Sequence, residues 1–258
     1  MSRAHRLVLF LPAWAYGYRL ATPAAVAHRH HISMLAPALE TPLATASQWR
    51  ALEERIASLD ARASGAQEGS ARPPALTLYR DTNGWCPFCE RVWLQLAAKN
   101  IPYDEVLIDL QDKPAWYKEM VPTTLVPAIK LEKSGEVVWE SADIMMRLEA
   151  DFPDAPKLLP PPETPERSRA DELISMCSDV SSAGAKFAYG SRNASLTADE
   201  INARRVEFER QLDLLDAKAA AGGGPFLLGH DFSLVDAFYV PFLERWAVQL
   251  PLYVEFHI

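Results

Sequence analysis

The sequence predicts a small α/β domain followed by an all-helical one, on three observations. Residues 75–152 alternate strand-like and helix-like segments. The run Phe152-Pro-Asp-Ala-Pro-Lys-Leu-Leu-Pro-Pro-Pro162 then excludes regular helix and sheet. Beyond it the apolar spacing is helical throughout. A composition shift at a proline-rich linker divides the chain into two domains, 75–152 and 153–258.

Each element has its own signature. Ala75 to Arg80 reads as a first strand. The following helix places Cys89, Val92, Trp93, Leu96 and Ala97 on one face. Tyr103 to Leu110, rich in Val, Ile and Leu, is a second strand, and Lys113 to Met120 a short helix. Leu125–Leu131 and Glu136–Glu140 flank the turn Lys133-Ser134-Gly135 as a hairpin. Ser141 is expected to cap a helix that carries Ile144, Met145 and Leu148. In the second domain Thr197 and Glu200 form a capping box. The helix behind it ends at Gly222-Gly-Gly-Pro225, and Ser233 to Asp236 opens the next. Asp236 is read as a cap without a part in chemistry, and Cys177 as a buried helix residue.

Composition bounds the function. Apolar residues make up 49% of the 258, and charged residues 23%, as in a soluble globular protein. The net charge of −8 leaves no basic stripe for phosphates, so no nucleic-acid partner is expected. Three cysteines are too few for a disulfide framework and point to a reducing compartment.

Charge is unevenly distributed. Residues 1–39 lack Asp and Glu but hold Arg3, Arg6, Arg19, Arg29 and four of the six histidines. Residues 1–46 therefore read as a targeting or disordered segment, with a plastid or other organelle as destination after its removal and the cytoplasm as the alternative. The run Leu7 to Tyr16 with Ala25-Val26-Ala27 also fits a signal peptide. It falls short of the ~20 apolar residues of a membrane span. Residues 47–74 comprise an amphipathic helix, Ser47 to Ala63, and a polar linker.

The chemistry is concentrated in Cys86-Pro87-Phe88-Cys89, where a strand turns into a helix. A sulfur at a helix start meets unpaired N–H groups and the positive dipole end, which favour thiolate over thiol. Pro87 falls at the first helical position, where its missing N–H costs nothing. Cys89, one turn on, is within reach of a disulfide formed at Cys86. A zinc site is the competing reading, but zinc usually takes four ligands. Neither a second cysteine pair nor a nearby histidine cluster follows, so no metal is expected. A buried structural pair is the other alternative.

In this order and spacing the motifs resemble a cytosolic-type glutathione transferase of the cysteine-dependent branch (omega, lambda and dehydroascorbate-reductase classes). The resemblance covers residue 75 to about residue 250. Trp85-Cys-Pro-Phe-Cys-Glu-Arg91 looks like the active-site segment, and Asp112-Lys-Pro114 with Trp116 like the segment before the third strand. Leu125-Val-Pro-Ala128 matches the cis-proline turn, Trp139-Glu-Ser141 the glutathione-holding pair, and Ser233-Leu-Val-Asp236 the capping motif.

The resemblance implies an α/β thioredoxin-like domain followed by an all-α helical domain, with the C-terminal part truncated, because the last helices of the family do not follow Trp246. It implies glutathione as co-substrate, a small electrophilic or disulfide second substrate, and a homodimer. Val126 would pair its backbone with the central peptide of glutathione, as an added strand does. About 5–6% of X–Pro bonds are cis; the resemblance makes Val126–Pro127 one of them. Glu140 would take the γ-glutamyl ammonium, and Ser141 with its helix N-terminus the γ-glutamyl carboxylate. Lys113 would take the glycyl carboxylate. Phe88 falls in the glutathione-binding segment, although its own residue type reads as packing.

The implied reaction is thiol transfer through a mixed disulfide of Cys86 with glutathione, with dehydroascorbate as a further substrate. Omega and lambda members typically carry Ala where this chain has Cys89, so a glutaredoxin-like dithiol reductase with Cys89 as resolving cysteine is the alternative. A non-catalytic glutathione-binding or interaction module is another.

Overall fold

The computed structural model of the chain describes residues 73–254 and Phe256. The expected targeting segment and the Ser47–Ala63 helix lie outside the described residues. Strand β1 (Leu76–Asp81) is paired on both sides, so it is the buried centre of a four-stranded sheet ordered β2-β1-β3-β4. Its parallel neighbour is β2 (Tyr103–Ile108), with Leu76 opposite Tyr103. On the other side β3 (Ala128–Leu131) runs antiparallel, with Leu76 opposite Leu131. Edge strand β4 (Val137–Trp139) pairs antiparallel with β3.

Helix α1 (Pro87–Lys99) links β1 to β2, and α2 (Ala115–Met120) precedes β3. Helix α3 (Ser141–Asp151) follows β4. Then come α4 (Pro165–Gly190), α5 (Ala198–Ala220) and α6 (Leu234–Val254). The α/β-then-helical order is the one expected. Among the described residues no helix is long and apolar enough to cross a membrane.

One apolar core runs from the sheet into the helical part. Leu76, Leu78, Val92, Leu96, Ile144 and Met145 join Leu173, Phe187, Phe208, Phe238 and Trp246. A smaller cluster of Tyr79, Ile108, Tyr117, Val121 and Ala128 fills the other face of the sheet. Polar residues of α1 tie it to α3 and to the proline-rich segment that follows it. Gln95 Nε2 donates to the Met145 carbonyl over 2.8 Å, and Lys99 Nζ to that of Pro156 over 2.9 Å.

Several boundaries differ from the sequence expectation. Trp93 and Ala97 are exposed, and the buried face of α1 instead includes Arg91, Gln95 and Lys99. These polar groups enter the interior because each finds a hydrogen-bond acceptor there. The α2 helix begins at Ala115 rather than Lys113, as expected for a residue preceding proline. Strand β2 stops at Ile108, and β4 covers only Val137–Trp139. Residues 125–127 form a loop, because the Leu125 carbonyl accepts from Tyr117 Oη over 2.6 Å rather than from a neighbouring strand.

The caps of the second part match their motifs. Thr197 and Glu200 exchange both capping-box hydrogen bonds. The Asp236 carboxylate accepts from the N–H groups of Ser233 and Leu227 at 2.8 and 2.9 Å. Its role is structural, as the sequence indicated.

Candidate active site

The site begins at the C-terminal end of β1. Asp81 is buried, and its Oδ2 accepts from the Trp85 N–H over 2.6 Å. Gly84 takes a positive φ of 64°, which glycine adopts without side-chain strain and which turns the chain back into α1. Cys86 then occupies the N-cap position, with Pro87 as the first helical residue.

The electrostatics separate the two sulfurs. Cys86 is pulled down to about 7, chiefly because the Cys89 thiol donates towards it. Burial opposes that shift, and the N–H groups of Phe88 and Cys89 assist it without closing a capping hydrogen bond. Cys89 is pushed far up, first by burial and then by Cys86 itself. One sulfur is partly exposed and drawn towards neutrality, and the other is a buried thiol behind it.

The loop before β3 closes over Cys86. The Val126–Pro127 bond is cis, and the Val126 carbonyl oxygen lies 3.9 Å from Cys86 Sγ. The Tyr117 hydrogen bond to Leu125 fixes this loop from below. Glu140, and not Ser141, is the N-cap of α3, at a positive φ of 67°. Ser141 is the first helical residue and is buried. The expected cap is displaced by one position because the backbone reverses at Glu140.

A buried guanidinium links these parts. Arg91 donates to Ser141 Oγ (3.3 Å), to Cys177 Sγ (3.2 Å) and to the Phe238 carbonyl (3.1 Å). Phe88, Phe238 and Phe242 surround it at 5.2, 4.9 and 4.7 Å. Phe88 also packs edge-on against Phe242. Burial pushes the Cys177 thiol up to about 11, against the pull of Arg91. Arg91 lies in the Trp85–Arg91 heptapeptide, but only contacts with residues far along the chain reveal its burial.

A second arginine ties the entry loop to α6. Arg245 Nε donates to the Trp85 carbonyl over 3.1 Å, and its guanidinium pairs with Glu90 and Glu244. Cys86, Cys89 and Val126 thus meet directly, and Ser141 joins Phe88 through Arg91. Lys113 is half-buried before α2 and Glu140 is exposed. Among the described residues no hydrogen bond or ion pair joins either side chain to that cluster.

Comparisons with known proteins agree on one family. Residues 85–151 match the model described as glutathione S-transferase, N-terminal domain, and residues 198–256 that of the C-terminal domain. The chain is 33% identical over 214 residues to glutathione S-transferase L1 of Arabidopsis thaliana, covering 80% of each. It is 39% identical over 168 residues to protein IN2-1 homolog A of Oryza sativa, spanning 62% of that protein and 62% of this chain. Glutathione S-transferase L2, chloroplastic, of A. thaliana is 35% identical over 168 residues, 64% of this chain and 52% of the relative. Among solved structures, glutathione transferase Omega 3C of Trametes versicolor shares the fold with a TM-score of 0.63 at 24% identity, covering 75% of this chain and 82% of that one. The dehydroascorbate reductase of Chlamydomonas reinhardtii gives a TM-score of 0.52 at 27% identity, covering 71% and 81%.

Proposed function

The chain belongs to the glutathione S-transferase family, and from that premise we propose that it is a glutathione-dependent thiol transferase working through Cys86. The observation that carries this reading is the Cys86 thiol at a helix start, drawn down to about 7 and facing the Val126 carbonyl. The Cys86 thiolate attacks the glutathionyl sulfur of a mixed-disulfide substrate. The old S–S bond breaks, the substrate thiolate leaves and takes a proton, and a Cys86–glutathione disulfide remains. A second glutathione thiolate attacks the glutathionyl sulfur, forming oxidised glutathione and restoring the Cys86 thiolate.

In this reading the Val126 N–H and C=O pair with the central peptide of glutathione beside Pro127. Ser141 and the α3 N-terminus receive the γ-glutamyl carboxylate, and Glu140 the ammonium. Lys113 takes the glycyl carboxylate, while Phe88 walls the site. Dehydroascorbate is a further substrate, in line with the likeness to an algal enzyme named for that activity. The second substrate is a small electrophile or disulfide, and the active form is a homodimer, which light scattering on the purified chain tests.

The assay is glutathione-dependent disulfide exchange on wild type, Cys86→Ser and Cys89→Ser. Activity is expected to vanish only in the first. Full activity in Cys86→Ser would refute the reading. The closeness of Cys89 favours one variation, a glutaredoxin-like dithiol route in which Cys89 displaces glutathione from Cys86. An internal Cys86–Cys89 bridge after mild oxidation, rather than a glutathione adduct, would identify it. Retention on a glutathione column without turnover would instead indicate a binding module.

For location we propose a plastid. The acid-free start of the chain and the relative named as chloroplastic support it. A fluorescent fusion to residues 1–46 tests it, with a purely cytoplasmic signal as the contrary result.

A further inference from the structure

We propose that Asp81, Cys86 and Cys89 form a three-ligand site for a thiophilic divalent cation, zinc being the type, which caps the nucleophile when bound. The inference goes beyond the thiol-transfer reading and stands whether or not Cys86 turns over a glutathione substrate. The sequence offered only two sulfur ligands with no histidine nearby. The third ligand comes from the end of β1, five residues before Cys86, where the turn at Gly84 folds it back.

Geometry is the first support. One ligand atom from each of Asp81, Cys86 and Cys89 lies within 4.8 Å of the other two. Zinc bonds of about 2.3 Å to sulfur and 2.0–2.2 Å to oxygen require ligand atoms roughly 3.5–4 Å apart in a tetrahedron. Side-chain adjustments of about an ångström meet that requirement.

The state of Asp81 is the second, independent support. The residue is 1% exposed, and its Oδ1 has no hydrogen-bond partner among the described residues. A buried carboxylate oxygen left in that condition costs free energy that a ligand could recover. Its other oxygen is fixed by the Trp85 N–H, the kind of outer-shell contact that orients a ligating carboxylate.

The donor set chooses the ion. Two thiolates and one carboxylate suit zinc or cadmium, whereas magnesium and calcium call for an all-oxygen shell. Three protein ligands leave a fourth position, which faces the partly exposed side of Cys86 and takes water or an external thiolate. Binding displaces the thiol protons of Cys86 and Cys89 to solvent and changes no oxidation state. A sulfur committed to the ion cannot attack a disulfide, so cation binding and glutathionylation of Cys86 exclude one another.

The test titrates the reduced full chain with cadmium, following the sulfur-to-cadmium charge-transfer absorption, and then with zinc in competition. One equivalent is expected in wild type and in Cys177→Ala. The band should disappear in Cys89→Ala, and Asp81→Asn should bind at least about tenfold more weakly. Should Asp81→Asn fail to fold, alkylation decides: one equivalent of zinc should protect Cys86 from iodoacetamide in wild type but not in Cys89→Ala. Absence of the band at one equivalent would overturn the site. So would equal affinity in Asp81→Asn, a band lost in Cys177→Ala, or equal protection in Cys89→Ala.

Discussion

Arg91 Nη1 donates to Ser141 Oγ across 3.3 Å, inside the protein and between two helices fifty residues apart in sequence. A guanidinium has no acceptor, so the serine oxygen must accept and its own proton is free to donate outward. The buried charge is passed to the N-terminus of α3, where the γ-glutamyl carboxylate is proposed to bind. Replacing Arg91 by Met removes a charged hydrogen bond of about 1.5–3 kcal/mol and should raise KM for glutathione roughly tenfold. Steady-state kinetics check this, with kcat expected to change far less than KM.

The thiol of Cys89 is the main cause that holds Cys86 down to about 7. Cys89→Ala should therefore move the Cys86 midpoint upward. The pH dependence of iodoacetamide alkylation reads it directly, and an unmoved midpoint would contradict this account of the nucleophile.

Glu244 is pushed up to about 8, chiefly by burial and then by the Glu90 carboxylate, with Arg245 opposing. Its ordinary value is 4.5, so the folded state holds the proton more tightly than the unfolded chain. That contribution to stability is full below pH 4.5 and lost as pH rises through about 8. Thermal melts across this range should show Tm falling with pH, and Glu244→Gln should flatten the slope.

Gly184 lies where α4 meets the Trp246 indole, and an added Cβ would overlap that ring. Trp246 is buried between Phe208 and Phe242 and has little room to withdraw. Gly184→Ala should destabilise the protein by about 1–3 kcal/mol, as overpacked cores do. Chemical denaturation measures it.

Local chemistry made much of the fold and site legible. Strand and helix order, Pro87 at the first turn and the Thr197 capping box depend on neighbours in sequence, and the structure carries all three. The cis Val126–Pro127 bond came from the family resemblance, since residue statistics alone favour trans. What the sequence hid is long-range. Arg91, Gln95 and Lys99 fall outside the apolar face that spacing marks on α1, yet their partners are Phe238, Met145 and Pro156, between 50 and 147 residues away. Asp81 carries no signal in the sequence, because its nearness to both sulfurs depends on the turn at Gly84. Ser141 was misplaced by one position, since a positive φ at Glu140 is uncommon for a side-chain-bearing residue.

The most direct test of the central claim is mass mapping of the intact chain after a single exposure to a glutathionylated peptide. The account predicts one glutathione on Cys86 in wild type and Cys89→Ser, removed by free glutathione, and none in Cys86→Ser. An adduct on Cys177, or an undiminished adduct in Cys86→Ser, would contradict it.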